Sequence, residues 1–406
     1  MVRQSQTDRV ETSPAEAFVE GRVSPLGLRH YSAENKAVLS EDSNDAVHLL
    51  YPHILKRKAD RFVQGFRGNS LYALKSNPHP AVLKVLWEQG IRKFEVASLR
   101  EVEYALKLYP DADLYFMHPI KSRQAIRRAY ALGVRNFAFD GLDELKKIEI
   151  ETDHAQDLSL FLRIQVDQRE AAHPLSDKFG ASLQEAPLLL QRAKRSSCKL
   201  GLTFHVGSQC MDPLAYSVAI RDMSEMLKQT EIAIDMIDIG GGFPVPYPGM
   251  SPRDLSEYFE VIHAAIDECG LQDLVLFCEP GRALVAEAGA VAVRVELRKG
   301  KMLYLNDGTY GSLFDAGVSS WPYPLALMAA DGSPKAGATT SFKFYGPTCD
   351  SLDVMEGPFE LDSNLCEGDW IIFKHLGAYG YAMQTRFNGF YSETTVSVGK
   401  EVRTPK

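Results

Sequence analysis

The chain has 406 residues, of which 45% are hydrophobic and 24% charged, with 45 Lys and Arg against 53 Asp and Glu for a net charge of −8. These values are ordinary for a soluble globular protein of two or three domains, and they exclude wholesale disorder, collagen and coiled coil. The mildly acidic balance offers no basic footprint for nucleic acid or an anionic membrane, so the expected partners are small molecules and copies of the chain itself. Six scattered cysteines without a C-x-x-C pair read as reduced thiols. No run approaches the roughly 20 apolar residues of a membrane span, and the polar N-terminus does not read as a signal peptide. The expected compartment is the cytoplasm.

Residues 1–42 have weak periodicity and read as an N-terminal segment that is partly flexible. From residue 43 short β-favouring runs alternate with stretches of helical period. The runs are Leu71–Lys75, Lys93–Ala97, Leu114–Met117, Asn136–Phe139, Ser159–Val166, Leu202–Val206, Met236–Ile239 and Val275–Cys278. Amphipathic stretches such as AVLKVLWEQG and KSRQAIRRAYALG lie between them. The first four runs recur about every 22 residues, which suits one strand, one helix and two short loops. Eight such units over residues 43–285 predict a parallel (β/α)8 barrel, with a doubly wound open sheet left open by the count alone. After Gly289 the runs VAVRVELRKG, KMLYLND, TSFKFYG, DWIIFKHL and TTVSVGKEV alternate with turns and show no long helix. Residues 286–406 therefore predict an antiparallel β domain.

Barrel active sites lie at the C-terminal ends of the strands, and polar residues and glycines cluster there. Lys75 ends the first strand in LYALKSNP, and His205 follows the sixth in TFHVGSQC. Gly240, Gly241 and Gly242 follow the seventh, and Glu279 ends the eighth, followed by Arg282. A lysine at the end of an apolar strand is either a snorkelling surface residue or an amine of lowered pKa able to form a Schiff base. A glycine run is a tight loop or a cradle of backbone N–H groups for phosphate, to which Arg282 would add charge-assisted bonds. Lysine, phosphate cradle and carboxylate together suggest pyridoxal 5'-phosphate (PLP), with Glu279 on the pyridine nitrogen and His205 stacked on the ring. Alone, His205 could equally be a satisfied core histidine. No residue pattern calls for a metal.

YALKSN, FHVGSQ, GGGFP and EPGR, then NDGTYGSLFD, YGPTCDSLD and GDWIIFKHLGAYGYAMQTRFNGF, resemble the fold-type III PLP-dependent decarboxylases, the group of ornithine and diaminopimelate decarboxylases. The resemblance covers roughly residues 45–395. It implies an alanine-racemase-like barrel, a β domain to which the N-terminal segment contributes, and a homodimer with two active sites at its interface. It makes Lys75 the Schiff-base lysine, His205 the ring-stacking residue and Glu279 the pyridine-nitrogen partner. Ser208, Gly240, Gly241, Gly242, Arg282 and Tyr379 match phosphate-site positions. Cys349 matches the thiol that the other subunit contributes to protonate Cα after CO2 leaves, and Asp350 a residue that meets the substrate's distal amine. Asp315 matches a second carboxylate near that amine. Each could by itself be a buried inert thiol or a solvated loop aspartate.

Two positions depart from the ornithine enzymes. Glu95 stands where they carry a shorter aspartate, and GVSSWPYPL after Asp315 lacks a histidine-bearing stretch. The implied activity is decarboxylation of a basic L-amino acid, ornithine to putrescine first (polyamine biosynthesis) and lysine to cadaverine second. Diaminopimelate decarboxylase would carry glutamate, not Asp350, after the cysteine. A racemase would place arginine at Glu279. A regulatory homologue would lose Lys75 or Cys349. A specialised decarboxylase of a conjugated amino acid in siderophore or antibiotic assembly stays open.

Overall fold

The computed structural model describes residues 19–166, 171–173, 178–230 and 232–399, with side chains of 171–173 left aside. Eight strands close into a barrel: β1 (Asn69–Ala73), β2 (Lys93–Val96), β3 (Asp113–Phe116), β4 (Asn136–Phe139), β5 (Ser159–Arg163), β6 (Lys199–Thr203), β7 (Met236–Asp238) and β8 (Val275–Cys278). All neighbours run parallel, and β8 closes onto β1 with Phe277 opposite Asn69. The expected runs fall on these strands with ends displaced by a few residues. Lys75 stands just past β1, in a single tight turn over Leu74–Ser76.

The barrel interior is a packed core. Tyr115, Phe161 and Phe277 fill it with ring centroids 5.2–6.1 Å apart. Gly201 on β6 makes room, since a Cβ there would stand 2.7 Å from the Phe161 ring. Such packing seals the lower barrel and leaves the upper rim for chemistry. The outer helices start where local chemistry dictates. Ser98 accepts the Glu101 N–H ahead of Leu99–Leu108, whose Val102 and Ala105 turn inward. Asp254 and Glu257 form a reciprocal capping box ahead of Leu255–Glu268.

The β domain takes strands from both ends of the chain. Its order is Arg22–Val23, Arg29–Tyr31, Thr395–Val398, Val47–Leu50, Gly289–Lys299, Met302–Leu305, Thr339–Tyr345 and Val354–Asp362, with Trp370–Lys374 bridging Gly289–Lys299 and Leu325–Met328. Val47–Leu50 therefore lies in this sheet, although it follows residue 43, where the barrel rhythm is expected to begin. Most pairs are antiparallel, but Thr395–Val398 runs parallel to both its neighbours, and Met302–Leu305 parallel to Thr339–Tyr345. A short helix, Phe314–Val318, interrupts the expected strand-only region. Residues 1–18, within the expected flexible segment, lie outside the described residues.

Candidate active site

At the C-terminal rim a cavity of about 440 Å³ brings together Lys75, Glu95, His205, Ser208, Gly241, Gly242, Glu279, Arg282, Asp315 and Tyr379. The side chain of Lys75 keeps 47% of its surface accessible, but that surface faces this cavity within the protein. Its Nζ lies 3.0 Å from Oε2 of the buried Glu95 on the adjacent strand. Burial works against the ammonium, but the carboxylates of Glu95 and Glu279 outweigh it and hold Lys75 above a lysine's ordinary range. The expected lowering of its pKa is thus reversed in the protein alone, because two carboxylates face the amine.

His205 accepts the Gly207 N–H at Nδ1, at 2.9 Å, so its neutral ring carries the proton on Nε2. Burial, then the charges of Arg163 and Lys75, push its pKa down to about 3. The glycines after β7 sit in contacts that no side chain could enter. A Cβ on Gly241 would stand 2.6 Å from the Glu279 carbonyl and 3.2 Å from Nε2 of His205. A Cβ on Gly242, at φ +102°, would stand 2.4 Å from the Gly207 carbonyl. Bare backbone therefore lines this wall.

Glu279 is the most strongly perturbed carboxyl of the rim. Burial, then the neighbouring Asp238 and Glu95, push it well above the usual carboxylate range. Its Oε1 is buried without a hydrogen-bond partner among the described residues. Asp238 accepts from Thr203 Oγ1 (2.9 Å) and the Gly240 N–H (3.0 Å), and burial pushes it up to about 6 despite those bonds. An orphaned buried carboxyl oxygen calls for a donor that the chain does not supply. A protonated pyridine nitrogen would satisfy it, an aldehyde would meet Lys75, and a phosphate would meet the glycine wall and Ser208. The residues fit PLP.

Arg282 is buried, and its guanidinium is already engaged. Its two terminal nitrogens donate to Asp315 at 2.6 and 3.0 Å, and one also reaches the hydroxyls of Tyr247 (3.0 Å) and Tyr323 (3.2 Å). Tyr323 also donates to Asp315. Only Nε of Arg282 is buried without a partner among the described residues. Asp315 thus lines the cavity while both of its oxygens accept from Arg282. Trp321 and Tyr323, from the segment that departs from the ornithine pattern, pack against the pair. Tyr379, at φ +63°, donates its backbone N–H to the Ser76 carbonyl at 2.7 Å and so ties the β domain to the turn bearing Lys75.

Cys349 and Asp350 do not line this cavity within one chain. Both belong to the loop after Thr339–Tyr345, where the Cys349 thiol is exposed. Asp350 accepts from the Leu352 N–H (2.9 Å) and the Tyr310 hydroxyl (2.8 Å), which hold its carboxyl below the ordinary value. Leu352, two residues beyond Asp350, is exposed, as is Phe387, whose ring lies 5.2 Å from that of Tyr310.

Sequence reasoning missed Asp238 and Arg163 at the rim and Tyr247 and Tyr323 behind Arg282. Asp238 and Arg163 carried a signal, as charges at the ends of otherwise apolar strands, the same sign that drew attention to Lys75. The two tyrosines carried none, since distant segments bring them together. Among the described residues no group of His, Cys, Asp or Glu is arranged to hold a metal ion.

Comparison with known proteins agrees with this geometry. Residues 53–286 match the family described as pyridoxal-dependent decarboxylase, pyridoxal binding domain. Antizyme inhibitor 2 of Xenopus laevis is 35% identical over 359 residues, covering 82% of this chain and 76% of the relative. Ornithine decarboxylase of Schizosaccharomyces pombe is 34% identical over 355 residues, covering 83% of this chain and 79% of the relative. The Selenomonas ruminantium lysine decarboxylase, solved with PLP and cadaverine, superposes with a TM-score of 0.80 at 28% identity, covering 90% of this chain and 94% of the other. The chain belongs to the fold-type III PLP-dependent decarboxylases.

Proposed function

We propose that the protein decarboxylates ornithine to putrescine, with lysine to cadaverine as a secondary activity, as a cytoplasmic homodimer in polyamine biosynthesis. The observation that carries the substrate reading is the loop of Cys349 and Asp350. It pairs a thiol with a carboxylate held in its ionised form, on a face edged with exposed apolar side chains. In a symmetric dimer such a loop reaches the partner's cavity and brings a charge for a cationic side-chain terminus. The names of the relatives, ornithine decarboxylase and lysine decarboxylase, point to substrates of that class.

When bound, PLP supplies an electron sink for the pair left on Cα as CO2 departs. The residues of this chain do the rest. Lys75 supplies the amine that holds the aldehyde carbon, and its bond with Glu95 gives its proton an acceptor. Glu279 holds a proton on the ring nitrogen, where it strengthens the sink. The neutral imidazole of His205, on the cavity wall, would hold the ring without adding a charge to repel that proton. The glycine wall and Ser208 anchor the phosphate. Asp350 of the second chain meets the distal amine, and Cys349 delivers a proton to Cα.

The test is kcat/KM for ornithine, lysine, arginine and diaminopimelate with cofactor-loaded enzyme. Ornithine should lead and lysine follow. If arginine or diaminopimelate led, or if none released an amine, the substrate reading would be wrong.

A further inference from the structure

Cys349 is in side-chain contact with Asn388. Oδ1 of Asn388 lies 3.3 Å from the Cys349 backbone nitrogen and 3.3 Å from its Sγ. A backbone N–H can only donate, so it fixes which end of the amide faces Cys349: the carbonyl oxygen. That oxygen can only accept. The sulfur therefore bonds to it only while it carries its own proton, and a thiolate there would face a lone pair instead. Asn388 holds this position from φ 53°, within the turn Phe387–Gly389. Asparagine is one of the few side-chain-bearing residues that enter this left-handed region readily. Tyr310 links the turn to the loop, since its ring lies 5.2 Å from that of Phe387 and its hydroxyl donates to Asp350.

We propose that Asn388 is a positioning residue that keeps the Cys349 thiol protonated and fixes the direction from which it gives up its proton. The inference rests on the reading of Cys349 as the proton donor. In that step the bond between Cα and the carboxyl carbon breaks, CO2 leaves, and the electron pair stays with the substrate. The S–H proton passes to Cα and forms the new C–H bond, while sulfur keeps its pair as thiolate and later takes a proton from water. An acceptor beside the sulfur serves this order of events. It disfavours early loss of the proton to water, and it favours the thiol over the thiolate when water returns a proton after each turnover.

The experiment compares the wild-type holoenzyme with Asn388→Gly and Asn388→Asp. Glycine keeps the left-handed backbone and removes only the amide, whereas aspartate keeps an acceptor and adds negative charge. Alkylation of Cys349 by iodoacetamide is followed against pH by peptide mass spectrometry, which separates it from the other cysteines. The midpoint should fall by about half a pH unit or more in Asn388→Gly and rise by a similar amount in Asn388→Asp. Asn388→Gly should also release a larger share of product as carbonyl compound instead of amine, with water supplying the oxygen and the amino nitrogen staying on the cofactor, and with KM within about twofold of wild type. Unmoved midpoints, or midpoints moved in the same direction by both substitutions, would overturn the proposal. Cys349→Ala separates the two levels. If it forms amine at the wild-type rate, the role of Cys349 fails and the inference with it. If it diverts the product while the Asn388 variants leave the thiol unmoved, only the inference fails.

Discussion

At the scale of single residues the site is governed by which charges are already matched. Arg282 shows this most clearly, because burial of a guanidinium is tolerable only with Asp315 and two tyrosine hydroxyls against it. Asp315→Ala leaves that cation buried and unpaired. It should lower unfolding free energy by about 3–5 kcal/mol, read from denaturant midpoints. A loss within about 0.5 kcal/mol would mean that the pair is not structural. Glu279 is the opposite case, a carboxyl with one oxygen orphaned. Glu279→Gln keeps the shape but cannot balance a protonated ring nitrogen. PLP should still bind, with its visible absorption band present, while kcat falls by at least about tenfold.

At the scale of elements, buried charges tie strand ends together. Lys121 follows β3, is fully buried, and donates to the carbonyls of His118 (3.0 Å) and Ala138 (2.5 Å) beside its pairing with Glu144. It thereby fixes the loop that carries His118 into the cavity wall. Burial lowers its pKa to about 8, against the attraction of Glu144. The unfolded chain keeps this proton until about pH 10.4, so between pH 8 and 10 the unfolded state binds more protons and the contribution of this group to stability rises with pH. Unfolding free energy of wild type relative to Lys121→Met should therefore rise by about 1 kcal/mol per pH unit across that window, measured by urea titration. A flat difference would remove the argument. The same scale shows what the sequence could tell. Each barrel strand is an apolar run followed by a stretch of helical period, so the barrel was legible. Val354–Asp362 was not, because VMEGPFELD carries a Gly-Pro that reads as a turn and that an edge strand tolerates. Val47–Leu50 was not either, since its sheet partners Thr395–Val398 and Gly289–Lys299 lie hundreds of residues away. Among site residues, Lys75, His205, the glycines and Glu279 announce themselves by position at strand ends. The engagement of Asp315 by Arg282 is a tertiary event with no local signature.

At the scale of the whole molecule the two halves of the chemistry lie apart in one chain. Lys75, His205 and Glu279 line the barrel cavity, and Cys349 and Asp350 lie on an exposed loop of the β domain. In the proposed homodimer the loop of one chain would complete the cavity of the other. The direct measurement mixes Lys75→Ala with Cys349→Ala, each strongly impaired alone, and lets subunits exchange. Half of the dimers should then be mixed, with one of their two sites fully wild-type, so activity should recover to about a quarter of the wild-type value. Recovery to that level confirms a site shared between chains. If both variants fold, exchange subunits and regain nothing, the shared site, and with it the proposed role of Cys349, is contradicted.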